Sequence, residues 1–319
     1  MHAPSILSAC LIATLAGGTP AAANPVLTGA DPHAVIFDQH YWIYPTVSGF
    51  REPVFAAYRS RDLRTWERQG VALRLRDVGW VDDDGAPRHH AWAPAVARRG
   101  GRYFLYYSVG PNEPTPSRIG VATGERPEGP FEDSGRPLVT GGDGFEAIDP
   151  MVFIDPADDT PYLYAGGSAG SRLRVWELGA DMTSLKREVE VGQPPKFTEA
   201  PFMHLRDGTY YLSYSHGSWQ HPSYSVHYAT AKTPTGPWNY RGAILESDER
   251  HKGPGHHSFL RNPLSGDWFI VYHRWETTRE DGPYRGRRRI AIERIGYRDN
   301  GDIEAVTMTD RPPPAQRLR

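Results

Sequence analysis

The 319-residue chain predicts an all-β fold, a five-bladed β-propeller. Two observations carry this. A short frame recurs five times in order, each time ahead of two strands joined by a turn. A second signature, a Gly-Pro-aromatic turn, alternates with it at Gly129-Pro130-Phe131 and Gly236-Pro237-Trp238. Radial repetition of this kind returns distant strand starts to one axis. The 33 Gly and 29 Pro suit the many tight turns such a fold needs, and 17 Tyr and 9 Trp suit packed strands and stacking surfaces.

The first frame is Ala30-Asp31-Pro32, followed by the alternating run Tyr41-Trp42-Ile43-Tyr44. The second is Trp92-Ala93-Pro94, followed by Tyr103-Phe104-Leu105-Tyr106-Tyr107 after a turn at Arg99-Gly100-Gly101-Arg102. The third is Ile148-Asp149-Pro150. The fourth is Thr198-Glu199-Ala200-Pro201, with a turn at Asp207-Gly208 before Tyr210-Tyr211-Leu212-Ser213-Tyr214. The fifth opens at Gly255-His256-His257-Ser258 and turns at Ser265-Gly266-Asp267. Outer strands follow, such as Ile119-Gly120-Val121-Ala122 and Ser225 to Ala229. The last blade is expected to take its outer strands from Ile290 to Glu293 and from Ile303 to Val306. No composition shift marks a second domain, so residues 24–319 are read as a single propeller domain.

Residues 1–23 read as a secretory signal, with an apolar run from Ile6 to Leu15 and small residues Ala21-Ala22-Ala23 before Asn24, although no Lys or Arg precedes the run. The expected location is therefore secreted or periplasmic. The single cysteine, Cys10, lies in that segment, so the mature chain would hold no disulfide, thiol nucleophile or cysteine metal site. A formal net charge of -2 gives no field for nucleic acid or anionic membrane. The basic run Arg285 to Arg289 is read as a solvated face with one arginine turned inward. No later apolar stretch is long enough to span a bilayer, and a monomer is expected.

Asp31, Asp149 and Glu199 are the candidate catalytic residues. Paired carboxyl groups facing one bond are the usual equipment for glycoside cleavage. An acid that stays protonated near neutral pH must face a base that is ionised, and a third carboxylate beside the acid raises its pKa. Trp92 and, more weakly, Phe50 are candidate sugar platforms; a core role is the alternative for Trp92 and is open for Phe145 and Trp219. The loops Leu75 to His90 and Trp219 to Tyr224 set the pocket's depth. Arg274 and one of Arg287 to Arg289 are candidates for binding substrate oxygens. His256 and His257 point opposite ways in a strand, so only one can face the axis. Calcium prefers oxygen ligands, so a contact between such an ion and the axial histidine would run through water. Asp82-Asp83-Asp84-Gly85 lacks a downstream EF-hand glutamate and is read as a solvated loop. His216, His221 and His251 lack zinc spacing.

On the five ordered frames and the Gly-Pro-aromatic turns, the chain resembles glycoside hydrolase family 43 from about Pro25 to Arg311. The resemblance implies a five-bladed propeller that inverts configuration as it cleaves arabinofuranosyl or xylosyl linkages. It implies Asp31 as general base, Glu199 as general acid, and Asp149 as the carboxylate that orients the acid and tunes its pKa. It further implies His256 beside an axial calcium or its waters, and Arg288 as a sugar-binding arginine. The expected activity is α-L-arabinofuranosidase or β-D-xylosidase on an oligosaccharide or polysaccharide. Alternatives are an endo-acting arabinanase, which needs an open groove, and a non-catalytic carbohydrate-binding propeller, which would not need all three acids. Ala30 stands where the related retaining fructan hydrolases usually carry Asn.

Overall fold

A computed structural model describes residues 23–47 and 52–318. Phe50, Cys10 and residues 1–22 of the expected signal segment lie outside the described residues. Strand β1 (Leu27–Thr28) precedes the first blade, which is built from β2 (Ala30–Phe37), β3 (His40–Thr46), β4 (Val54–Ser60) and β5 (Glu67–Arg74). Blade two holds β6 (His90–Arg99), β7 (Arg102–Gly110) and β8 (Arg118–Gly124), edged by β9 (Glu132–Asp133) and β10 (Val139–Thr140). Blade three holds β11 (Met151–Ile154), β12 (Pro161–Ala165), β13 (Arg174–Leu178) and β14 (Leu185–Val189). Blade four holds β15 (Glu199–Arg206), β16 (Thr209–His216), β17 (Ser225–Ala231) and β18 (Asn239–Leu245). Blade five holds β19 (His251–Arg261), β20 (Trp268–Glu276) and β21 (Arg289–Ile295).

The last blade is completed from the other end of the chain. β1 pairs antiparallel with β21, Leu27 opposite Ile290 and Thr28 opposite Arg289. The expected terminal strand at Ile303 to Val306 does not join this sheet. Ile303 makes a single bridge to Tyr297, and the Val306 N–H donates to the Ile244 carbonyl of blade four. Its alternating pattern instead supplies apolar side chains, Ile303 and Val306, to the core between blades four and five.

The tyrosine-rich second strands have a packing reason. A buried phenol needs a partner for its hydroxyl. Tyr44 of β3 donates to the Pro127 carbonyl at 2.7 Å, and Tyr164 of β12 to the Pro234 carbonyl at 2.6 Å. Both acceptors begin a Gly-Pro-aromatic turn of the next blade. Tyr106 of β7 similarly reaches the Met182 carbonyl of blade three at 2.6 Å. The ring fills the seam between blades and the hydroxyl fixes their relative position.

The five repeated frames fold alike at the axis. Asp31, Ala93, Asp149, Ala200 and His256 all adopt left-handed backbone, with φ of 47°, 43°, 56°, 57° and 40°. Non-glycine residues rarely sit there, and such strain concentrates at functional sites. Four of the five lie at a break in strand register: Ala30/His33, Trp92/Ala95, Glu199/Phe202 and Gly255/His257. A bulge of this kind re-aims the side chains around it.

Candidate active site

Each left-handed residue is held by a side chain of the blade before it. The N–H of Asp31 donates to His273 Nδ1 of blade five at 3.1 Å. That of Ala93 donates to Thr46 Oγ1 of blade one at 2.7 Å, and that of Asp149 to Ser108 Oγ of blade two at 3.0 Å. The His256 N–H donates to Ser215 Oγ of blade four at 2.8 Å. Thr46, Ser108, Ser215 and His273 all lie opposite a frame residue on the second strand of their blades. Blade three has Gly166 and Gly167 after its second strand, with no side chain to offer. There the Asp149 carboxylate itself accepts the Ala200 N–H. A closed ring of five bonds thus fixes the strand starts around the axis, and one of its members is a candidate catalytic group.

The frame offset also separates the acids. Asp31, Asp149 and His256 occupy the left-handed position, whereas Glu199 lies one residue earlier, the position that Trp92 takes in blade two. The three carboxylates are therefore not equivalent, as their similar sequence settings suggested. His256 Nδ1 sits 3.5 Å from both Asp31 Oδ1 and Asp149 Oδ2, so the left-handed trio meets at the axis. Glu199 and Trp92 each lie one residue before a left-handed position.

A cavity of about 220 Å³ opens between them, lined by Asp31, Trp92, Asp149, Glu199, His256 and Arg288, among others. Asp31 is almost enclosed. Burial is the largest single influence and raises its pKa, but Arg288, donating from Nη1 to Oδ1 at 2.8 Å, together with His256 and His273 more than offsets it. The carboxyl is held well below its ordinary value and is ionised. Glu199 is in the opposite state. Burial first, and then the nearby Asp31 and Glu146 charges, raise its pKa to about 7 against the hydrogen bond from Tyr224 at 2.6 Å. Asp149 is also pushed well up, by burial first and then by Glu199, Asp31 and Glu146. Asp149 and Glu199 form one buried pair that retains a proton near neutral pH, and its titration belongs to the pair. His256 and His273 are neutral, because burial drops them to about 4 and about 3.

Of the expected substrate residues, Trp92 lies at the cavity, its ring parallel to His90 with centroids 5.4 Å apart. It covers Gly110, where a Cβ would come within 2.2 Å of the indole. Arg288 is the inward arginine. Arg287 and Arg289 are exposed, and Arg289 bonds the Thr28 hydroxyl. Arg274 is not a pocket residue. It is fully buried on the opposite face of β20, where it donates to Glu276 at 2.8 Å, the Tyr272 hydroxyl at 3.0 Å and the Thr309 carbonyl at 3.0 Å, tying the C-terminal segment to blade five. Strand alternation gives the pocket its neighbour, His273.

Several residues were not anticipated. Tyr224 is fully buried between Glu199, the backbone of Gly255 and the His273 ring, which it stacks at 5.7 Å. Glu146 adds a fourth carboxylate to the cavity wall and accepts the Ala169 N–H at 2.7 Å. Trp219 is not a core aromatic; it is 37% exposed, lines the cavity and carries the Arg288 guanidinium at 4.7 Å from its ring centre. Phe145 is buried against Trp176, as a core residue should be. Asp84 is not solvated, since it pairs with Arg118 at 2.5 Å and His89 at 2.9 Å. His251 is likewise buried, between Asp248 and Asp310.

His256 offers calcium little directly. One ring nitrogen faces two carboxylates, one of which is claimed by Arg288 and the other protonated with its neighbour. That is not the oxygen shell the ion requires. Among the described residues, the group of ligand-type side chains close enough to share an ion is His251, Glu276 and Asp310, which are instead neutralised by Arg274 and Arg250.

An ionised carboxylate, a buried carboxyl pair that retains a proton, an arginine and an aromatic wall in one pocket are suited to cleaving a glycosidic bond. The model of glycosyl hydrolases family 43 matches residues 22–303, and the chain belongs to that family of glycoside hydrolases. A β-D-galactofuranosidase of Aspergillus niger is 38% identical, over 94% of this chain and 88% of its own length. Among solved structures, a thermostable family-43 glycoside hydrolase superposes with a TM-score of 0.77 at 29% identity, covering 93% of this chain and 99% of that one. A family-43 β-xylosidase/α-arabinofuranosidase from a compost microbial metagenome, solved with xylotriose in a calcium-free form, gives a TM-score of 0.70 at 28% identity, covering 88% and 94%.

Proposed function

We propose that this chain is an inverting, exo-acting glycosidase that removes α-L-arabinofuranosyl or β-D-xylosyl units from plant-type oligosaccharides or polysaccharides. The observation that carries the reading is the opposed protonation of Asp31 and Glu199 across one small cavity. Asp31 takes a proton from a water at the anomeric carbon, while Arg288 keeps the carboxylate ionised. Glu199 delivers a proton to the departing oxygen as the glycosidic bond breaks. Asp149 shares the acid's proton and, through the Ala200 N–H, fixes the strand from which Glu199 projects. A volume of about 220 Å³ lies below the range of about 300–1,000 Å³ typical of drug-sized ligands, which favours one terminal sugar over an open-groove arabinanase.

The similarity to a galactofuranosidase supports a second reading, a galactofuranoside substrate, whose exocyclic side chain is longer than that of an arabinofuranoside by one hydroxymethyl group. Hydrolysis of nitrophenyl α-L-arabinofuranoside, β-D-xyloside and β-D-galactofuranoside, compared with linear arabinan, separates these. Cleavage of arabinan alone would overturn the exo reading, and loss of nothing on Asp31→Asn would remove the base. The leader-like N-terminus supports secretion or export to the periplasm. Calcium, where present, would be held near His256 through its waters in a structural or electrostatic role. Chelation should then lower thermal stability, and restored calcium should recover it.

A further inference from the structure

A second cavity, of about 430 Å³, adjoins the catalytic one and shares two of its wall residues, Trp219 and Arg288. Its floor is prepared rather than improvised. The Trp219 ring is backed by Trp275, with centroids 6.0 Å apart and planes 18° apart, and Trp275 Nε1 donates to the Trp219 carbonyl at 2.9 Å. The loop carrying Trp219 is tied to the loop before β21 by three bonds, one of them between His221 Nδ1 and the Asp281 carbonyl at 3.1 Å. The Tyr284 N–H donates to the Gln220 carbonyl at 2.7 Å, and Gln220 Nε2 to the Tyr284 carbonyl at 3.1 Å. An exposed, braced indole beside a glycosidase pocket suits the face of a sugar ring.

Three arginines line the same cavity. Arg285 and Arg287 are exposed, and neither makes an ion pair among the described residues, although Glu280 and Asp281 lie on the same loop. Arg288, by contrast, is engaged by Asp31. Free guanidinium forks are suited to carboxylates. The catalytic cavity carries Asp31, Glu146, Asp149 and Glu199 and would repel an anion. An acidic group on the substrate must then lie outside it, on the sugar that leaves.

We propose that this shelf is a leaving-group subsite selecting saccharides that carry a carboxylate, such as a uronic acid substituent. It rests on the hydrolytic reading above for its name as a leaving-group site, but its ligand chemistry can be tested without turnover. In a Glu199→Gln background, isothermal titration would compare a xylo-oligosaccharide bearing one glucuronic acid with its methyl ester, at low and high salt. The acid should bind about threefold to tenfold more tightly than the ester. Salt should shrink the preference, and Arg285→Gln/Arg287→Gln should abolish it while ester affinity persists. Equal binding of acid and ester overturns the proposal. So does a preference that survives the double variant, or a parallel loss of both ligands, which would make the arginines structural. Failure of the unmodified enzyme to cleave any aryl glycoside would defeat the hydrolytic reading and leave this binding result standing.

Discussion

Arg288→Gln should move the acidic side of the pH profile. Asp31 is ionised because a guanidinium 2.8 Å away, together with His256 and His273, offsets its burial. Two unit charges about 4 Å apart interact by about 4 kcal/mol at an effective dielectric near 20. The arginine's own desolvation reduces the net effect, and an aspartate beside an arginine is typically lowered by about 1–3 pH units. His256 and His273 also lower the Asp31 value, but burial and the Arg288 charge hold their own pKa values to about 4 and about 3, so near neutral pH they carry no charge to take over the guanidinium's part. With Arg288 gone, burial prevails, the Asp31 pKa rises, and the base becomes protonated at a higher pH. The acidic limb of kcat/KM should therefore rise by roughly 1–3 pH units. Arg288 also weakly lowers the Glu199 value, so the alkaline limb should move up by less and the bell should narrow. The assay is kcat/KM for an aryl glycoside across pH, with Arg288→Lys as the charge-restoring control. A uniform drop in rate with an unmoved acidic limb would refute the reasoning and reduce Arg288 to a substrate ligand.

Glu199→Ala should cripple cleavage of natural linkages, roughly 100-fold or more, while sparing aryl glycosides whose acidic phenols leave without a proton; equal loss on both would remove Glu199 as the acid. Tyr224→Phe deletes a hydrogen bond that favours the ionised Glu199, so the alkaline limb should shift to higher pH, and a downward shift would show that the phenol stabilises the protonated form instead. Gly110→Ala places a Cβ about 2.2 Å from the Trp92 indole, so the ring must move. KM should rise more than kcat falls if Trp92 is a sugar platform, and unchanged kinetics in a folded variant would make it a wall without a binding role.

The propeller was legible because each blade repeats a chemical frame whose strain is itself periodic: a left-handed residue, usually followed by proline, at every inner strand start. That same regularity hid the site's asymmetry. Thr198-Glu199-Ala200-Pro201 resembles Ile148-Asp149-Pro150 in sequence, yet the left-handed residue is Ala200 in one and Asp149 in the other, so the two carboxylates project differently. Arg274 was misplaced because adjacent strand residues face opposite ways, and the register around the Gly255 bulge is set by tertiary packing. His273 becomes recognisable only beside Thr46, Ser108 and Ser215, its counterparts in other blades. Tyr224 and Glu146 carry no local signal, since each matters only through a residue distant in the chain. β1 is two residues long, too short for any periodicity, and its role comes from the need to cover the edge of blade five.

The central claim, an ionised Asp31 activating water opposite a protonated Glu199, is tested most directly by proton NMR of the first-formed sugar on whichever glycoside is cleaved. Direct attack by water predicts a product whose anomeric configuration is inverted, with the retained anomer growing in only by mutarotation. A first-formed product with retained configuration would require a covalent intermediate on one of these carboxylates and would contradict the account.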